Sequence, residues 1–214
     1  MALTKTIFDG LCKEITTGKL KPGEVLSRRQ IATRYGASYT PVIEAIVRLE
    51  NVGLVETQSS QMARVRTVSI ESIESNYVLR EAFETQAIRL ACESATEREI
   101  EELYQLAQEL DALVVKQIKN ASRGLKLHWR FHKRIAELSR YRVLAVALER
   151  THLLQLLQSN WIVVPDPDEP LRYHSLLVDT IRDSDPESAD AAMRSHVRSG
   201  RDREIAGYRL SIQQ

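Results

Sequence analysis

Residues 27–57 read SRRQIATRYGASYTPVIEAIVRLENVGLVET and predict two short helices joined by a tight turn. Ser27 and Gln30 have the spacing of a capping box, in which a hydroxyl and an amide satisfy free backbone groups at a helix N-terminus. The first helix should end near Gly36, and Ser38 is placed to cap the second. Two short helices separated by about three residues that include a glycine indicate a helix-turn-helix.

The sequence on both sides of this stretch completes a small domain. Apolar side chains recur at every fourth position before Gly18, which predicts an amphipathic helix carrying Leu3, Ile7, Leu11 and Ile15. Residues 54–57 and 62–66 flank a short polar segment and predict a β-hairpin, the wing. We therefore expect a winged helix-turn-helix domain over residues 1–67.

From residue 70 onward the apolar spacing is helical, and we find no convincing alternating strand. The helical segments are residues 70–94, 97–119, 123–139, 143–160, 170–184 and 187–207. Thr96 and Glu99 form another capping box, and the prolines from Pro165 to Pro170 require a loop. The chain should therefore be mainly α, with the winged domain followed by an antiparallel bundle of six or seven helices over residues 70–214.

Composition limits the class of protein. The 214 residues are 43% hydrophobic and 28% charged, which is ordinary for a globular chain, and no apolar run approaches a membrane span. The N-terminus lacks a secretion-signal pattern and Cys12 and Cys92 share no motif, so we expect two reduced thiols in a cytoplasmic protein. Residues 1–66 hold ten Lys and Arg against six Asp and Glu, and the remainder holds twenty against twenty-three. A basic head on a mildly acidic body suits binding to a polyanion.

The segment over residues 7–57 resembles the N-terminal domain of GntR-type transcription regulators. The matching positions occur in order and without gaps: Gly18, Leu20, Pro22, Gly23, Leu26, Ile31, Ala32, Gly36, Ser38, Thr40, Pro41, Val42, Glu44, Ala45, Arg48, Leu49, Glu50, Gly53, Leu54 and Val55. The resemblance implies a nucleoid-associated homodimer that binds an inverted-repeat operator in double-stranded DNA. The residues that it places at the DNA are Arg28, Arg29, Ser38, Tyr39, Thr40 and Arg48.

Two positions depart from the pattern of this family. Its members usually carry arginine where this chain has Tyr39 and Ile43. In the family those arginines, together with the one at Arg29, touch phosphates and base edges in the major groove. Tyr39 can still donate to a phosphate or pack on a thymine methyl, whereas Ile43 offers only apolar contact. We therefore expect weaker DNA binding with a flatter salt dependence and an unusual operator sequence.

The remainder of the chain resembles the all-helical FCD-type ligand domain in the FadR-like branch of the same family. The matching features are Arg80 with Phe83 and Glu84, the pair Phe131 and His132, and two late histidines at 174 and 196. The resemblance implies a helical bundle that binds an effector and a metal ion.

The histidine spacing points to metal chemistry independently. His128 and His132 are four residues apart, so both lie on one helix face, a spacing that can chelate one ion. His174 and His196 also follow apolar residues at helical spacing. A lone histidine on such a face is usually a hydrogen-bonded core residue, but four that converge would leave hydrogen bonds unmet unless they share an ion.

The family comparison extends this interpretation. Metal-binding members use an aspartate four residues before the first histidine, where this chain has His128. The implied ligands are His128, His132, His174 and His196, and His152 lies outside the pattern. Four neutral ligands favour one divalent transition ion per subunit, Zn, Ni, Cu or Fe(II), over Mg or Ca.

The sequence therefore predicts a DNA-binding transcription regulator whose operator affinity is controlled by a small carboxylic acid bound at a metal site. Arg80 matches the family's effector-facing arginine and is also spaced for a helix-surface salt bridge to Glu84. The alternatives are a metal-dependent enzyme and a sensor that has lost DNA binding. The helix-turn-helix over residues 27–50 and the lack of a nucleophile–base arrangement argue against an enzyme.

Overall fold

The computed structural model describes residues 2–57, 62–115, 121–158 and 172–213. These residues form nine helices and three short strands, so the chain is mainly α as predicted. They fall into two compact units: residues 2–73 with 152–158, and residues 74–151 with 172–213.

Helix α1, Ala2–Thr16, confirms the first amphipathic helix except at one position. Ile7, Leu11 and Ile15 are buried, but Leu3 is 40% exposed, so its place on the buried face was wrong. An α-helix has 3.6 residues per turn, so side chains spaced exactly four apart shift gradually around it. The first member of the repeat, Leu3, therefore lies off the buried face. Thr4 is buried instead, and its hydroxyl donates to Glu44 Oε2 at 2.8 Å.

Helices α2, Arg28–Tyr35, and α3, Tyr39–Asn51, form the helix-turn-helix. Ser27 caps α2 as predicted, because its side chain accepts a hydrogen bond from Gln30 N at 3.3 Å. Gly36 ends α2 in the left-handed region at φ 57°, where glycine carries no steric penalty. Ser38 lies at the N-cap position of α3, but the predicted side-chain cap is wrong, since its hydroxyl makes no capping hydrogen bond.

The wing is a small antiparallel sheet. Strands β1, Val25–Leu26, β2, Val55–Thr57, and β3, Ala63–Val65, are arranged in the order β1-β3-β2. The predicted hairpin is thus present as β2 and β3, with Val55 opposite Val65, while the tip at residues 58–61 lies outside the described residues. Strand β1 was not predicted, because two residues are too short to show an alternating pattern.

The core of the first unit fixes the orientation of α3. Its buried residues come from α1, α2, α3, the sheet and the turn before β2: Ile7, Leu11, Ile15, Leu26, Ile31, Val42, Ala45, Ile46, Leu49, Leu54, Val55, Ala63 and Val65. Leu153, from the last turns of α7, packs against this cluster. One face of α3 is therefore held inside the unit and the opposite face is presented to solvent.

The remaining helices confirm the predicted bundle segments. They are α4, Ile70–Ser94, α5, Glu97–Val115, α6, Ala121–Leu138, α7, Arg142–Gln158, α8, Tyr173–Arg182, and α9, Pro186–Ser211. The Thr96–Glu99 capping box forms in both directions, at 3.1 and 3.4 Å. Within the described range α8 ends two residues before its predicted end, because Asp185 instead caps α9 through Glu187 N and Ser188 N. The predicted proline loop at residues 165–170 lies outside the described residues.

Two further expectations concern the thiols and the membrane. Cys12 is partly buried, Cys92 is buried, and both are free thiols. Among the helices that the structure describes, none combines the length and apolar character needed to cross a membrane.

Candidate functional site

The outward face of α3 is the first candidate site. Tyr39, Ile43 and Val47 are 55%, 39% and 46% exposed, although all three carry large apolar surfaces. They follow one another at intervals of four residues and therefore lie along one side of the helix. Because the opposite side is buried in the core, this side is available to a partner.

The predicted DNA-contact residues differ in exposure. Five of them are exposed: Arg29, Ser38, Tyr39, Thr40 and Arg48. Arg28 is only partly exposed, and its Nε is enclosed without a hydrogen-bond partner. Arg28 is therefore the member of the set with the least freedom to reach a ligand.

A cluster of histidines in the second unit is the second candidate site. Helix α6 places His128 and His132 one turn apart beside the buried Phe131 and Ile135, so both rings turn toward the core. His196, on α9, joins them from between the buried Met193 and Val197. The Nε2 atoms of these three histidines lie 3.1 Å apart for 132–128 and 196–132, and 3.3 Å apart for 128–196.

His174 lies beside this trio at the start of α8. Its ring centroid is 5.3 Å from that of His128 and 5.1 Å from that of His196. The nitrogen atoms of His128, His132 and His196 that could bind a metal ion all lie within 4.8 Å of one another. His174 is not part of this group of three. Its Nε2 is nevertheless buried and has no hydrogen-bond partner. All four histidines predicted as ligands are thus neighbours, three of them at contact distance.

Asp111, on α5, fixes the position of His174. Its Oδ1 accepts the His174 backbone N–H and lies 2.9 Å from the ring Nδ1. Its Oδ2 accepts from Ser175 N at 3.1 Å and from the Ser175 hydroxyl at 2.7 Å. The carboxylate therefore satisfies the free N–H groups at the start of α8 and turns the His174 Nε2 away from itself.

Glu84, on α4, supports His132 in the same way. Its Oε2 lies 2.5 Å from His132 Nδ1, so the carboxylate faces this ring nitrogen directly. Its Oε1 accepts from Arg80 Nε at 2.7 Å. Both members of the Arg80–Glu84 pair are buried, at 5% and 2% exposure. The expected helix-surface salt bridge is therefore a buried one, and the surface assignment was wrong because α4 turns this face inward.

The carboxylates determine which ring nitrogen carries the proton. A neutral histidine that faces a carboxylate through Nδ1 keeps its proton there, so its Nε2 carries the lone pair. His132 and His174 both have this arrangement. Their Nε2 atoms are therefore acceptors inside the cluster.

The electrostatics of the cluster favour neutral imidazoles. Burial and the neighbouring histidines hold the pKa of His128 and of His196 well below the usual value. Burial also lowers the pKa of His132, although Glu84 opposes the shift. Burial alone would raise the pKa of Glu84, but Arg80 and His132 lower it to about 2. The lowered pKa values favour neutral rings at His128, His132 and His196, beside an ionised Glu84 carboxylate.

The donor set fits a transition-metal ion. Two nitrogens that are each about 2.0–2.1 Å from a tetrahedral zinc ion lie about 3.3–3.4 Å apart. The 3.1–3.3 Å separations among His128, His132 and His196 are close to that edge. The His174 Nε2 is a fourth buried nitrogen without a partner. The carboxylates of Glu84 and Asp111, on the other ring nitrogens of His132 and His174, match the supporting groups that metal-bound histidines have.

Sequence reasoning missed part of this site. Asp111 is 63 residues from His174 in the chain. The residues one turn away from Asp111 on its own helix give no sign that its partner lies on α8. Tyr173 also escaped notice, yet its ring lies 4.5 Å from that of His196. The motif containing Arg80 and Glu84 was recognised, but its contact with His132 was not.

A winged helix-turn-helix followed by a helical ligand domain defines a DNA-binding transcription regulator. Residues 3–65 match the family model for bacterial regulatory proteins of the gntR family, and residues 75–199 match the FCD domain. The chain therefore belongs to the GntR family of transcription regulators, in its FadR-like branch with an FCD domain, and is not an enzyme.

Known proteins that are similar to most of this chain agree with this assignment. The uncharacterized regulator YdhC of Bacillus subtilis is 25% identical over 88% of this chain and 85% of its own length. The transcriptional repressor RspR of Escherichia coli is 23% identical over 91% of this chain and 86% of its own. The solved structure of E. coli McbR has the same fold, with a TM-score of 0.76 at 22% identity, and the match covers 97% of this chain and 99% of that one.

Proposed function

We propose that this regulator holds one divalent transition-metal ion per subunit in the histidine cluster, and that a small carboxylic acid bound there controls its affinity for an operator. The observation that carries the proposal is the contact of the Nε2 atoms of His128, His132 and His196, with the unpaired Nε2 of His174 beside them. The Nε2 atoms of His132 and His174 carry lone pairs that point into the cluster, and a divalent cation provides a shared partner for them.

The ligand types limit the identity of the ion. Four imidazoles favour Zn, Ni, Cu or Fe(II), because Mg and Ca prefer oxygen ligands. When bound, the ion supplies a Lewis acid that can accept a carboxylate oxygen. The role of the protein is to hold the rings, set their tautomers through Asp111 and Glu84, and exclude water from the cluster.

Arg80 is the second element of the effector site. Its Nε is used by Glu84, whereas a guanidinium has five N–H donors, so the same side chain can pair with a carboxylate of the effector. Because Glu84 also contacts His132, Arg80 acts on both the effector and the metal ligand. The protein is taken to exist in two states, one that binds the operator tightly and one that binds it weakly. The effector can change operator affinity by no more than the ratio of its own affinities for these two states.

The family and the surface chemistry support a proposed assembly. The DNA-binding domain comprises residues 1–67 and the effector domain residues 70–214, and the protein acts as a homodimer on an inverted repeat. Large apolar side chains on α4 and α7 are exposed and support self-association of the second unit: Val78, Leu79, Val143 and Val146. RspR is named a repressor, which supports repression as the mode of regulation.

Metal analysis tests the proposal. The purified full-length protein should contain about one transition ion per subunit, or take up one on titration with Zn(II) or Ni(II). Removal with a chelator should lower the melting temperature, because the ion binds only the folded arrangement. Protein that neither contains metal nor takes up either ion would refute the site.

A further inference from the structure

We propose that the recognition helix of this regulator reads thymine methyl groups in the major groove through an apolar stripe formed by Tyr39, Ile43 and Val47. Two members of the stripe, Tyr39 and Ile43, stand where the family resemblance would place arginines that touch phosphates and base edges. It makes the protein a reader of A·T-rich half-sites, which goes beyond the metal and effector functions proposed above.

The stripe is exposed within its own unit. Ile43 and Val47 are 39% and 46% exposed, yet α3 also buries Val42, Ala45, Ile46 and Leu49 completely or nearly so. The core of the unit is therefore supplied by one side of α3, and the stripe contributes little to it. An apolar row on the open side of a helix indicates a contact surface.

The position and the charge of the surrounding surface indicate that the stripe contacts DNA. The stripe begins at the N-terminus of the second helix of a helix-turn-helix, the part of this motif that contacts base edges. Exposed cationic side chains lie on both helices of the same motif, at Arg29 on α2 and Arg48 on α3. The first 66 residues carry ten Lys and Arg against six Asp and Glu, which suits a polyanion rather than an apolar protein surface.

Apolar side chains can recognise only one kind of group on the base edges. In the major groove the C5 methyl of thymine is the apolar feature of the base edges, and apolar side chains recognise it by contact. Ile43 and Val47 have no hydrogen-bonding atoms, so a methyl group is the feature that they can distinguish. The Ser38 hydroxyl makes no capping bond and is exposed, so it remains able to bind a phosphate at the same end of the helix.

Removing the methyl groups tests this directly. A high-affinity duplex is first selected from random DNA with the full-length protein, and each thymine is then replaced by deoxyuridine, which lacks only the C5 methyl. Loss of one contacted methyl should weaken binding about fourfold, as the burial of a single carbon group implies. The sensitive thymines should fall within the half-sites, at corresponding positions of the two repeats.

Variants of the stripe assign the effect to its residues. With Ile43→Ala or Val47→Ala, the affinity ratio between the thymine and deoxyuridine duplexes should fall toward one at the positions that each side chain contacts. Both duplexes are measured with the same protein sample, so a partly unfolded variant lowers both affinities and leaves the ratio unchanged. Leu210→Ala, which removes a 44% exposed leucine from α9, is the matched control and should keep the wild-type ratio.

Three results would overturn the inference. One is a selected operator that binds equally well with deoxyuridine at every thymine. Another is a wild-type ratio that survives in both Ile43→Ala and Val47→Ala. The third is unchanged DNA affinity in both variants together with the loss of a protein complex, which would assign the stripe to a protein partner.

Discussion

His174 and Asp111 are joined twice, because Asp111 Oδ1 lies 2.9 Å from both the backbone N and the ring Nδ1 of His174. One carboxylate therefore starts helix α8 and orients the imidazole that the helix carries. Although burial opposes it, hydrogen bonding from His174 and Ser175 keeps the pKa of Asp111 below its usual value. The ionised form that the capping requires is also the form that fixes the His174 tautomer.

Asp111→Asn should weaken metal binding while the fold persists. An amide oxygen can still accept from the start of α8, but the charge that favours the Nδ1–H tautomer is lost. Loss of such a supporting carboxylate typically costs about 10–100-fold in metal affinity. Competition for Zn(II) with a chromophoric chelator measures the change.

Asp179→Asn is the matched control, since Asp179 lies on α8, the helix that carries His174, and pairs with Arg172 at the surface. It should retain wild-type zinc affinity. Equal affinities for Asp111→Asn and wild type would remove Asp111 from the metal site.

His132→Ala should abolish stoichiometric metal binding. Its melting temperature in the presence of Zn(II) should therefore be lower than that of the wild type in Zn(II). At a free ion concentration of about 100 times Kd the ion stabilises the fold by ~2.7 kcal/mol. For a chain of this size that is about 5–10 °C, which scanning fluorimetry with and without Zn(II) detects.

His152→Ala tests whether the effect is specific to the cluster. His152 groups with the first unit, whereas the cluster lies in the second. The variant should keep the metal content and the zinc-dependent stabilisation of the wild type. A zinc effect that is lost equally in both variants would argue against the assigned ligands.

Arg80→Ala should destabilise the second unit. It leaves Glu84 buried without its guanidinium partner, and breaking a buried pair in this way costs about 3–5 kcal/mol. Adding Glu84→Gln removes the unpaired charge and should recover part of the loss, which urea unfolding measures. A single variant as stable as wild type would show that the pair has no structural role.

The helical framework was predictable because its signals are local. Thr96 and Glu99 are three residues apart, and the capping box that they form needs no information from elsewhere in the chain. The convergence of the histidines was also foreseeable, since each one falls on an apolar helix face. The Leu3 error arose because a four-residue repeat fits an α-helix only approximately.

Contacts between distant helices were not predictable. Nothing near Asp111 in the sequence indicates that its carboxylate meets the start of α8. The same applies to Glu84, whose spacing from Arg80 suggested a surface pair and gave no sign of the contact with His132. Both depend on which helices become neighbours, and that is set by packing of the whole bundle.

DNA binding should respond to the exposed cations of the helix-turn-helix. Arg29→Ala should lower operator affinity several-fold, because an exposed cation close to phosphate is lost. Tyr39→Arg should raise affinity for non-specific DNA and steepen its salt dependence by about one phosphate contact. Fluorescence anisotropy across a salt series measures both, and an unchanged salt slope in Tyr39→Arg would place this side chain away from the backbone.

Control of operator affinity by a small carboxylic acid bound at the metal is directly measurable. The direct measurement is operator affinity by anisotropy, with metal-loaded and metal-free protein, across a panel of small acids that includes acetate, lactate, succinate and citrate. We expect at least one acid of this class to change the affinity of the metal-loaded protein about 5–150-fold, the range of typical coupling energies, and to have no effect on the metal-free protein. The same change in metal-free protein, or no change with any small carboxylic acid, would contradict the account.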